Sequence, residues 1–318
     1  MQRVKHRLLR MAGAAVRPWI RHELPGWGRL IPVLSLGGVD NCNPVWAEGP
    51  TLTDRGKLHG MVLRLDLSRD LDRFVWLVGR YYDLPIQLAA RALLRPGDVC
   101  VDVGANVGHF SALAAHLVGP EGRVIAYEPN PDCLTRLQHL RDDNALTQLD
   151  IRPHALGSQP GTGALHLLGG DSILGTLAAE AADVPQRTGT VSVSVAAGDA
   201  ELLPILPADG LIKIDVEGFE AEVLRGIARC LADRRPALII EMSAPNLARA
   251  GSSCAEVAGL LAAHGYTAHA LELGRDRLRR PRLRLVPMPM PDWPSTPEQC
   301  DALFLPPGQT RIDPADHA

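Results

Sequence analysis

Val101-Asp-Val-Gly-Ala-Asn-Val-Gly-His-Phe-Ser111 is the stretch around which this chain of 318 residues is organised. It begins within the apolar run Val99–Val103, which predicts a strand buried on both faces. Gly104 and Gly108 follow, and glycine permits positive φ and a close approach of the backbone to a ligand. A helix is predicted from Gly108 to Leu117. A strand, a glycine turn and a helix in this order predict a site for a nucleoside-bearing ligand.

Downstream of this stretch, predicted strands and helices alternate. Short apolar runs separated by helical periodicity predict strands at Arg123–Tyr127, Asp150–His154, Leu211–Ile214, Pro236–Ile240, Tyr266–Leu271 and Asp301–Leu305. Upstream, Met61–Ser68 alternates apolar and polar residues, which predicts a half-buried strand. The repeated βα period predicts an α/β Rossmann-like fold, with a mostly parallel sheet and helices on both faces.

Three parts of the chain lack clear periodicity. Residues 1–60 are expected to form a basic helical extension or cap, residues 61–306 the main domain, and residues 307–318 a C-terminal tail. In residues 158–200, glycine-rich pieces flank short strand-like runs, of which Val191-Ser-Val-Ser-Val195 alternates cleanly. The region is predicted to be an insertion or loop region on the ligand side of the sheet. The Pro- and Arg-rich stretch 275–297 is expected to be irregular and exposed, and its arginines favour a solvated loop over an anion-binding surface.

Composition excludes several classes of protein. The net charge of −3 gives no general attraction to nucleic acid. The six cysteines are scattered without a C-x-x-C pair, which argues against structural zinc and a disulfide framework, so a cytoplasmic location is expected. Arg10 and Arg17 interrupt the N-terminal apolar residues, so no transmembrane segment is predicted. A helix packed on its own domain is favoured there, and weak peripheral contact with a membrane surface is the alternative.

The predicted strand ends carry polar residues that could bind a ligand or transfer a proton: Asp102, Glu128, His154, Asp215 with Glu217, and Glu241. In an open parallel sheet the ligand lies beyond the carboxyl ends of the strands, so these groups should face one site. Glu128 follows the glycine loop by about 20 residues, where a carboxylate can accept the hydroxyls of an adenosine ribose. His154 could act as a general base, but a packed or solvated histidine is favoured.

The loop sequence distinguishes between adenosine-bearing cofactors. Dinucleotide sites use G-x-G-x-x-G, and here the loop reads G-A-N-V-G, with Asn106 in place of the middle glycine. Asp102 directly precedes this loop region and would repel a pyrophosphate, whereas it suits a cationic amino group. S-adenosylmethionine is therefore the predicted cofactor. The predicted cofactor-binding residues are Asp102, Gly104, Asn106, Gly108, Glu128 and Pro129.

Several motifs resemble the FkbM family of class I S-adenosylmethionine-dependent methyltransferases, over roughly residues 60–306. They are Asp102–Ser111, Tyr127-Glu-Pro-Asn-Pro131, Ala155-Leu-Gly157 and Leu211-Ile-Lys-Ile-Asp-Val-Glu-Gly-Phe-Glu220, preceded by Gly79–Asp83 and Leu94–Asp98. The resemblance implies a seven-stranded sheet with an antiparallel last strand. It also implies methyl transfer to oxygen, on hydroxyls of natural products and sugars. Met242-Ser-Ala-Pro245 departs from the family pattern, which leaves the acceptor open.

The acids at the ends of the fourth and fifth strands are the candidate catalytic residues: Asp215, Glu217 and Glu241. Each could take a proton from a hydroxyl, and a divalent metal held by oxygen ligands stays open. A structural pair between Lys213 and Asp215 is the alternative for that residue. The predicted function is O-methylation of a small-molecule or glycan acceptor, of a sugar, glycan or secondary-metabolite type. Transfer to nitrogen or carbon, and a catalytically silent nucleotide-binding or scaffold domain, are the alternatives, and the oligomeric state is not indicated.

Overall fold

The computed structural model describes residues 2–35, 46, 51–168, 174–178, 187–276, 280–290, 293, 299–309 and 311–312. The helices are α1 (Gln2–Arg21), α2 (Trp27–Ser35), α3 (Asp70–Val78), α4 (Leu84–Leu93), α5 (His109–Val118), α6 (Pro131–Asp143), α7 (Gly198–Leu202), α8 (Glu220–Gly226), α9 (Ala228–Asp233), α10 (Ala244–Arg249) and α11 (Cys254–Ala262). The strands are β1 (Thr51–Arg55), β2 (Val62–Asp66), β3 (Val99–Val103), β4 (Arg123–Tyr127), β5 (Leu149–Arg152), β6 (Ala155–Gly157), β7 (Gly161–Leu168), β8 (Leu174–Thr176), β9 (Arg187–Ala197), β10 (Leu211–Ile214), β11 (Ala237–Ser243), β12 (Thr267–Arg275), β13 (Pro281–Met288) and β14 (Gln299–Leu305).

Among the described residues, eight strands form a central sheet in the order β13-β12-β14-β11-β10-β3-β4-β5. Strands β5, β4, β3, β10 and β11 pair in parallel, whereas β14 is antiparallel to both β11 and β12. The predicted mostly parallel α/β sheet with an antiparallel last strand is therefore confirmed. The predicted count of seven strands is wrong by one, because β13 adds an antiparallel edge strand beside β12.

Both faces of this sheet are covered. Cys100 of β3 points into one apolar cluster, which includes residues of α4 and α5, and its neighbours Val101 and Val103 point into a second, which includes residues of α8 and α11. All three side chains are buried, as the near-continuous apolar sequence of a parallel strand requires. The helices cover both faces of the sheet and leave the carboxyl ends of its parallel strands uncovered.

Two regions expected to be irregular contain strands. Residues 281–288, in the stretch predicted to be irregular, form β13; residues 277–279, 291–292 and 294–298 lie outside the described residues. In the predicted insertion 158–200, β7 and β9 pair antiparallel, and a small sheet forms in the order β6-β9-β7-β8. The alternation of Val191–Val195 lies within β9, whereas glycine and threonine make up much of the rest of β7 and β9, so their full extent is not visible in the sequence.

The N-terminal part of the chain packs on the domain through α1. Ile20 is completely buried in the same apolar cluster as α4 and α5. Arg17 and Arg21 both pair with Asp54 of the β1–β2 hairpin. The predicted boundary at residue 60 falls between the two strands of that hairpin. Among the helices that the structure describes, none combines the length and hydropathy needed to cross a bilayer.

Candidate active site

The cavity at the carboxyl ends of the central strands begins at the turn after β3. The amides of Gly104 and Ala105 both donate to the carbonyl of Tyr127, at 3.0 and 3.1 Å, which holds the turn against the end of β4. Gly104 has φ of 79°, and a Cβ there would lie 1.9 Å from the carbonyl oxygen of Asp215. Only glycine fits, because the chain leaving β10 passes directly over this position. Gly104, Ala105 and Asn106 line the cavity.

The next residues of the turn shape the loop. Asn106 has φ of 52°, and its Oδ1 accepts a hydrogen bond from the Val107 amide at 2.7 Å. Gly108 has φ of 90°, and a Cβ there would meet the side chains of Leu137 and Leu140 at 2.4 and 2.7 Å. Gly108 therefore permits close packing of α6, and it is not among the residues that line the cavity. Its predicted contact with the cofactor stays a prediction.

Glu128 lines the cavity beside the turn. Its two carboxylate oxygens accept hydrogen bonds from the amides of Asn106 and Asn130, at 2.7 and 2.8 Å. Burial raises the pKa of Glu128 to about 7, although the two amide hydrogen bonds oppose the rise. A carboxylate has about four acceptor positions, so this group still has room for two hydroxyl donors. The adjacent Pro129 also lines the cavity, and this arrangement fits a ribose diol.

Asp102 lies behind the cavity and is completely buried. Its Oδ2 accepts a hydrogen bond from Ser111 Oγ at 2.6 Å, and its Oδ1 lies 3.6 Å from Lys213 Nζ. Lys213, by contrast, lines the cavity. Asp102 is thus linked to the cavity through the Lys213 ammonium group, and its direct contact with the cofactor stays a prediction.

The three candidate catalytic acids lie together in the cavity wall. One oxygen from each of Asp215, Glu217 and Glu241 falls within 4.8 Å of the other two. Burial, followed by the charge of Asp215, raises the pKa of Glu217 to about 7 and that of Glu241 to about 9. All three line the same cavity as Glu128 and the glycine turn. The structure therefore brings the predicted cofactor side and the predicted acceptor side into one cavity.

Each of these acids is oriented by a neighbour. Lys213 Nζ lies 3.0 Å from Asp215 Oδ2, which confirms the pairing considered as the alternative for Asp215. This does not remove Asp215 from the cavity wall. Asn246 Nδ2 donates to Glu217 Oε2 at 2.7 Å, and Gln299 Nε2 donates to Glu241 Oε1 at 2.6 Å.

Sequence reasoning missed several residues around the cavity. Asn246 and Gln299 lie on α10 and β14, and no spacing in the sequence links them to the acids they orient. Leu165 and Leu177 belong to the small-sheet region and line the cavity. Lys213 was detectable, because it alternates with Asp215 and Glu217 along the chain.

Other polar residues near the turn differ in whether they line the cavity. Tyr81 lines the cavity and stacks on His109, with ring centroids 5.7 Å apart. Arg80 instead pairs with Glu23 of the N-terminal part, at 3.1 Å. His154 packs on the Tyr127 ring and lies 3.5 Å from Glu201 Oε2, and it is not among the residues that line the cavity.

The chain is similar to proteins of one known family. The family model "Methyltransferase FkbM domain" matches residues 102–268. The hexuronic acid methyltransferase AglP of Haloferax volcanii is 30% identical over 136 residues, which are 42% of this chain and 52% of AglP. The 31-O-demethyl-FK506 methyltransferase FkbM of Streptomyces tacrolimicus is 31% identical over 199 residues, 55% of this chain and 74% of that protein. The chain thus spans about half of the first relative and about three quarters of the second.

The structure of a methyltransferase FkbM from Methylobacillus flagellatus also matches, with 16% identity, 73% of this chain and 52% of that chain covered, and a TM-score of 0.34. The family match starts at Asp102 and includes the glycine turn, Glu128, Asp215, Glu217 and Glu241. It covers more than half of the 318 residues. The chain belongs to the FkbM family of S-adenosylmethionine-dependent methyltransferases.

Proposed function

We propose that the protein transfers the methyl group of S-adenosylmethionine to a hydroxyl group of a sugar, a glycan or a secondary metabolite. The observation that carries this proposal is the convergence of Asp215, Glu217 and Glu241 in the cavity that Glu128 and the glycine turn also line. Oxygen as the methyl acceptor is supported by the name of the relative from Streptomyces tacrolimicus, a 31-O-demethyl-FK506 methyltransferase. A sugar acceptor is supported by the relative that acts on hexuronic acid.

On the cofactor side, the residues bind and orient S-adenosylmethionine. Glu128 accepts the two ribose hydroxyls, and Pro129 and Asn106 shape the wall beside it. Asp102 holds Lys213, whose ammonium group keeps Asp215 in place at 3.0 Å. When bound, S-adenosylmethionine supplies an activated methyl group on a sulfonium, which is already a good leaving group. The residues therefore contribute mainly proximity and orientation.

On the acceptor side, the residues handle a proton. A carbon–sulfur bond breaks and a carbon–oxygen bond forms, so the hydroxyl must release one proton. The three acids are the groups placed to take it, and Glu217 and Glu241 have raised pKa values of about 7 and about 9. A base whose pKa lies near the working pH is an effective proton acceptor.

The function is tested by methyl transfer from tritiated S-adenosylmethionine to panels of carbohydrate and polyketide acceptors. The wild type should label at least one hydroxyl-bearing acceptor, and Asp215→Asn should lower the rate by about 10²-fold or more, as expected on loss of an acid–base group. Glu201→Gln is the matched control, because Glu201 contacts Tyr127 and His154 and is not among the residues that line the cavity. Labelling of nitrogen or carbon alone would contradict oxygen as the acceptor atom.

Cofactor binding is tested separately by calorimetry with S-adenosylmethionine, its demethylated product and NAD. Both sulfur nucleosides should bind, and NAD should not. Glu128→Gln should weaken binding of S-adenosylmethionine by about tenfold or more, because hydrogen bonds to a charged group are worth about 1.5–3 kcal/mol. If Glu128→Gln bound S-adenosylmethionine with unchanged affinity, the ribose would not be held by Glu128.

A further inference from the structure

We propose that the outer side of helix α1 binds the surface of a bilayer that contains anionic lipids. Val16 of this helix packs against the apolar core of the domain, and Ile20 is completely buried in that core. The side of α1 that points away from the core is exposed at positions 11, 12, 14, 15, 18 and 19. The proposal concerns where the protein docks, so it goes beyond the proposed function.

The outer side of α1 carries exposed apolar side chains. Met11, Ala15 and Trp19 follow one another at intervals of four residues, which places them along one side of the helix. Met11 is 60% exposed and Trp19 is 45% exposed. Five large hydrophobic side chains are exposed in the described part of the chain, and three of them, Met11, Trp19 and Leu24, lie in α1 or just after it. Exposed apolar surface is thus concentrated here.

The apolar spacing extends over most of the helix. An outer row of residues at intervals of three or four consists of Val4, Leu8, Met11, Ala15 and Trp19. A basic helix with such a row lies in the interface between water and lipid, with the row buried in the lipid. Tryptophan is enriched at this interface, because its ring is apolar and its N–H group is polar. The outer row therefore fits a lipid surface.

The charge of the N-terminal segment is opposite to that of an anionic lipid surface. The first 22 residues contain six lysines and arginines but no aspartate or glutamate, whereas the rest of the chain has a net charge of −9. Arg17 and Arg21 pair with an aspartate of the β1–β2 hairpin. The other four lie in the first ten residues, and helical spacing places Arg3, Arg7 and Arg10 along one edge of the outer row. Cations in this position attract anionic headgroups.

The outer row and the charge together distinguish a lipid surface from two other partners. Nucleic acid would attract the cations, but its phosphate backbone offers no apolar region to cover Met11 and Trp19. A second copy of this chain could cover the outer row, but it would bring two groups of like charge together, which is unfavourable. An anionic bilayer satisfies both features, because its headgroups are negative and its acyl chains are apolar.

Docking through α1 would hold the whole domain at the lipid surface. Ile20 joins the helix to the core of the domain. Glu23, just after α1, pairs with Arg80 at 3.1 Å, and the adjacent Tyr81 lines the cavity. The helix is therefore fixed to the domain at two places, and the second of them lies next to the site. A protein bound in this way has one orientation toward the lipid.

The proposal is tested by flotation of the full chain with vesicles. One set contains phosphatidylcholine and phosphatidylglycerol in equal amounts, and the other contains phosphatidylcholine alone. The wild type should bind the mixed vesicles about tenfold more strongly than the neutral ones, because the cations of α1 are attracted only to the former. Salt at about 0.5 M should weaken this binding, since it screens the charges.

The contribution of the outer row is measured with Trp19→Ala. This variant should bind the mixed vesicles about fivefold more weakly or worse, because bilayer binding increases with the apolar area that enters the lipid. Leu273→Ala is the matched control, because Leu273 of β12 is 52% exposed and lies outside α1. Its binding should stay within about twofold of that of the wild type.

The contribution of the charge is measured with Arg7→Glu. Reversal of this charge should weaken binding to the mixed vesicles by about tenfold. Arg229→Glu is the matched control, because Arg229 is an exposed arginine of α9, outside the N-terminal segment. It reverses the same charge and should change binding by less than about threefold. Thermal unfolding of all four variants shows that they fold.

Several results would overturn the proposal. They are the absence of wild-type binding to the mixed vesicles, equal binding to neutral vesicles, and equal losses in Trp19→Ala and Leu273→Ala. Binding to a DNA duplex, or dimerisation in analytical ultracentrifugation, without binding to vesicles would assign the outer side of α1 to one of those partners instead.

Discussion

At the scale of single residues, the glycine turn shows how a correct prediction can have a different physical reason. The sequence predicts that Gly104 allows a close approach of backbone, with the cofactor as the expected neighbour. In the structure the close neighbour is the carbonyl oxygen of Asp215, 1.9 Å from where a Cβ would lie. The glycine therefore couples the turn after β3 to the backbone of Asp215. No local pattern could reveal this, because the two residues are far apart in the chain.

This coupling predicts a large effect for Gly104→Ala. The variant combines a positive φ, which costs about 1–2 kcal/mol, with a steric clash that typically costs about 1–3 kcal/mol more. Gly97→Ala is the matched control, because Gly97 has φ of 88° and a Cβ at that residue would have no atom within 4 Å. Denaturant unfolding should show a loss of about 3 kcal/mol in Gly104→Ala and about 1–2 kcal/mol in Gly97→Ala. Equal losses would show that backbone conformation alone requires this glycine.

Glu128 predicts a pH dependence of stability. Burial raises its pKa from 4.5 to about 7 in the folded protein. Between about pH 4.5 and 7 the folded protein keeps a proton that the unfolded chain has released, so the contribution of Glu128 to stability falls as the pH rises. Relative to Glu128→Gln, the wild type should lose on the order of 3 kcal/mol of unfolding free energy between pH 5 and pH 8. Unfolding in urea at both pH values measures it.

The control for this experiment is Glu121→Gln, which changes an exposed carboxyl group on the surface. Its unfolding free energy should follow that of the wild type at both pH values. A difference between wild type and Glu128→Gln that stays constant, or grows in favour of the wild type at pH 8, would contradict the raised pKa.

At the scale of elements, the strands of the parallel half were predictable, whereas in the small sheet the sequence indicated only a strand-like alternation at Val191–Val195. A strand such as β3 is apolar at every position except Asp102 because both of its faces are covered, and this pattern is visible in the sequence. The long strand β9 has exposed or half-exposed residues at most positions, and glycine and threonine occur in its first four residues. Its place in the small sheet depends on pairing with β7 and β6, which the sequence does not encode in any short window.

A hydrogen bond joins the small sheet to the backbone of Glu217. Thr176 of β8 is 1% exposed, and its Oγ1 donates to the backbone carbonyl of Glu217 at 2.7 Å. Thr176→Val keeps a similar volume and removes this donor, so a loss of about 1–2 kcal/mol in unfolding free energy is expected. Thr162→Val, at an exposed position of β7 in the same sheet, should change stability by less than about 0.5 kcal/mol. Similar losses in both variants would show that this hydrogen bond makes no specific contribution to the free energy of unfolding.

At the scale of the whole molecule, the N-terminal part and the domain share one core. Ile20 of α1 is 0% exposed and lies in the same apolar cluster as residues of β2, α4 and α5. Arg80, next to the cavity-lining Tyr81, pairs with Glu23 just after α1. The sequence predicts a helix here, but it cannot show which domain face the helix covers. That depends on contacts between residues more than fifty positions apart.

A shared core predicts that the N-terminal part unfolds together with the domain. Ile20→Ala should lower the unfolding free energy by about 2–5 kcal/mol, the usual cost of truncating a buried aliphatic side chain. Trp19→Ala is the matched control, since this neighbour in the same helix is 45% exposed. Calorimetry should show one transition that shifts in Ile20→Ala and hardly moves in Trp19→Ala. A separate early transition would indicate that α1 unfolds by itself.

The position of β14 has a consequence for the synthesis of the protein on the ribosome. This strand lies between β11 and β12, and its residues Leu303 and Phe304 are completely buried, although it follows both of these strands in the chain. The nascent polypeptide therefore carries two unpaired strand edges until residues 299–305 emerge. Exposed edges of this kind promote association between chains. A message truncated before codon 299 should yield aggregated product, because the central sheet closes only after residues 299–305 have been synthesised.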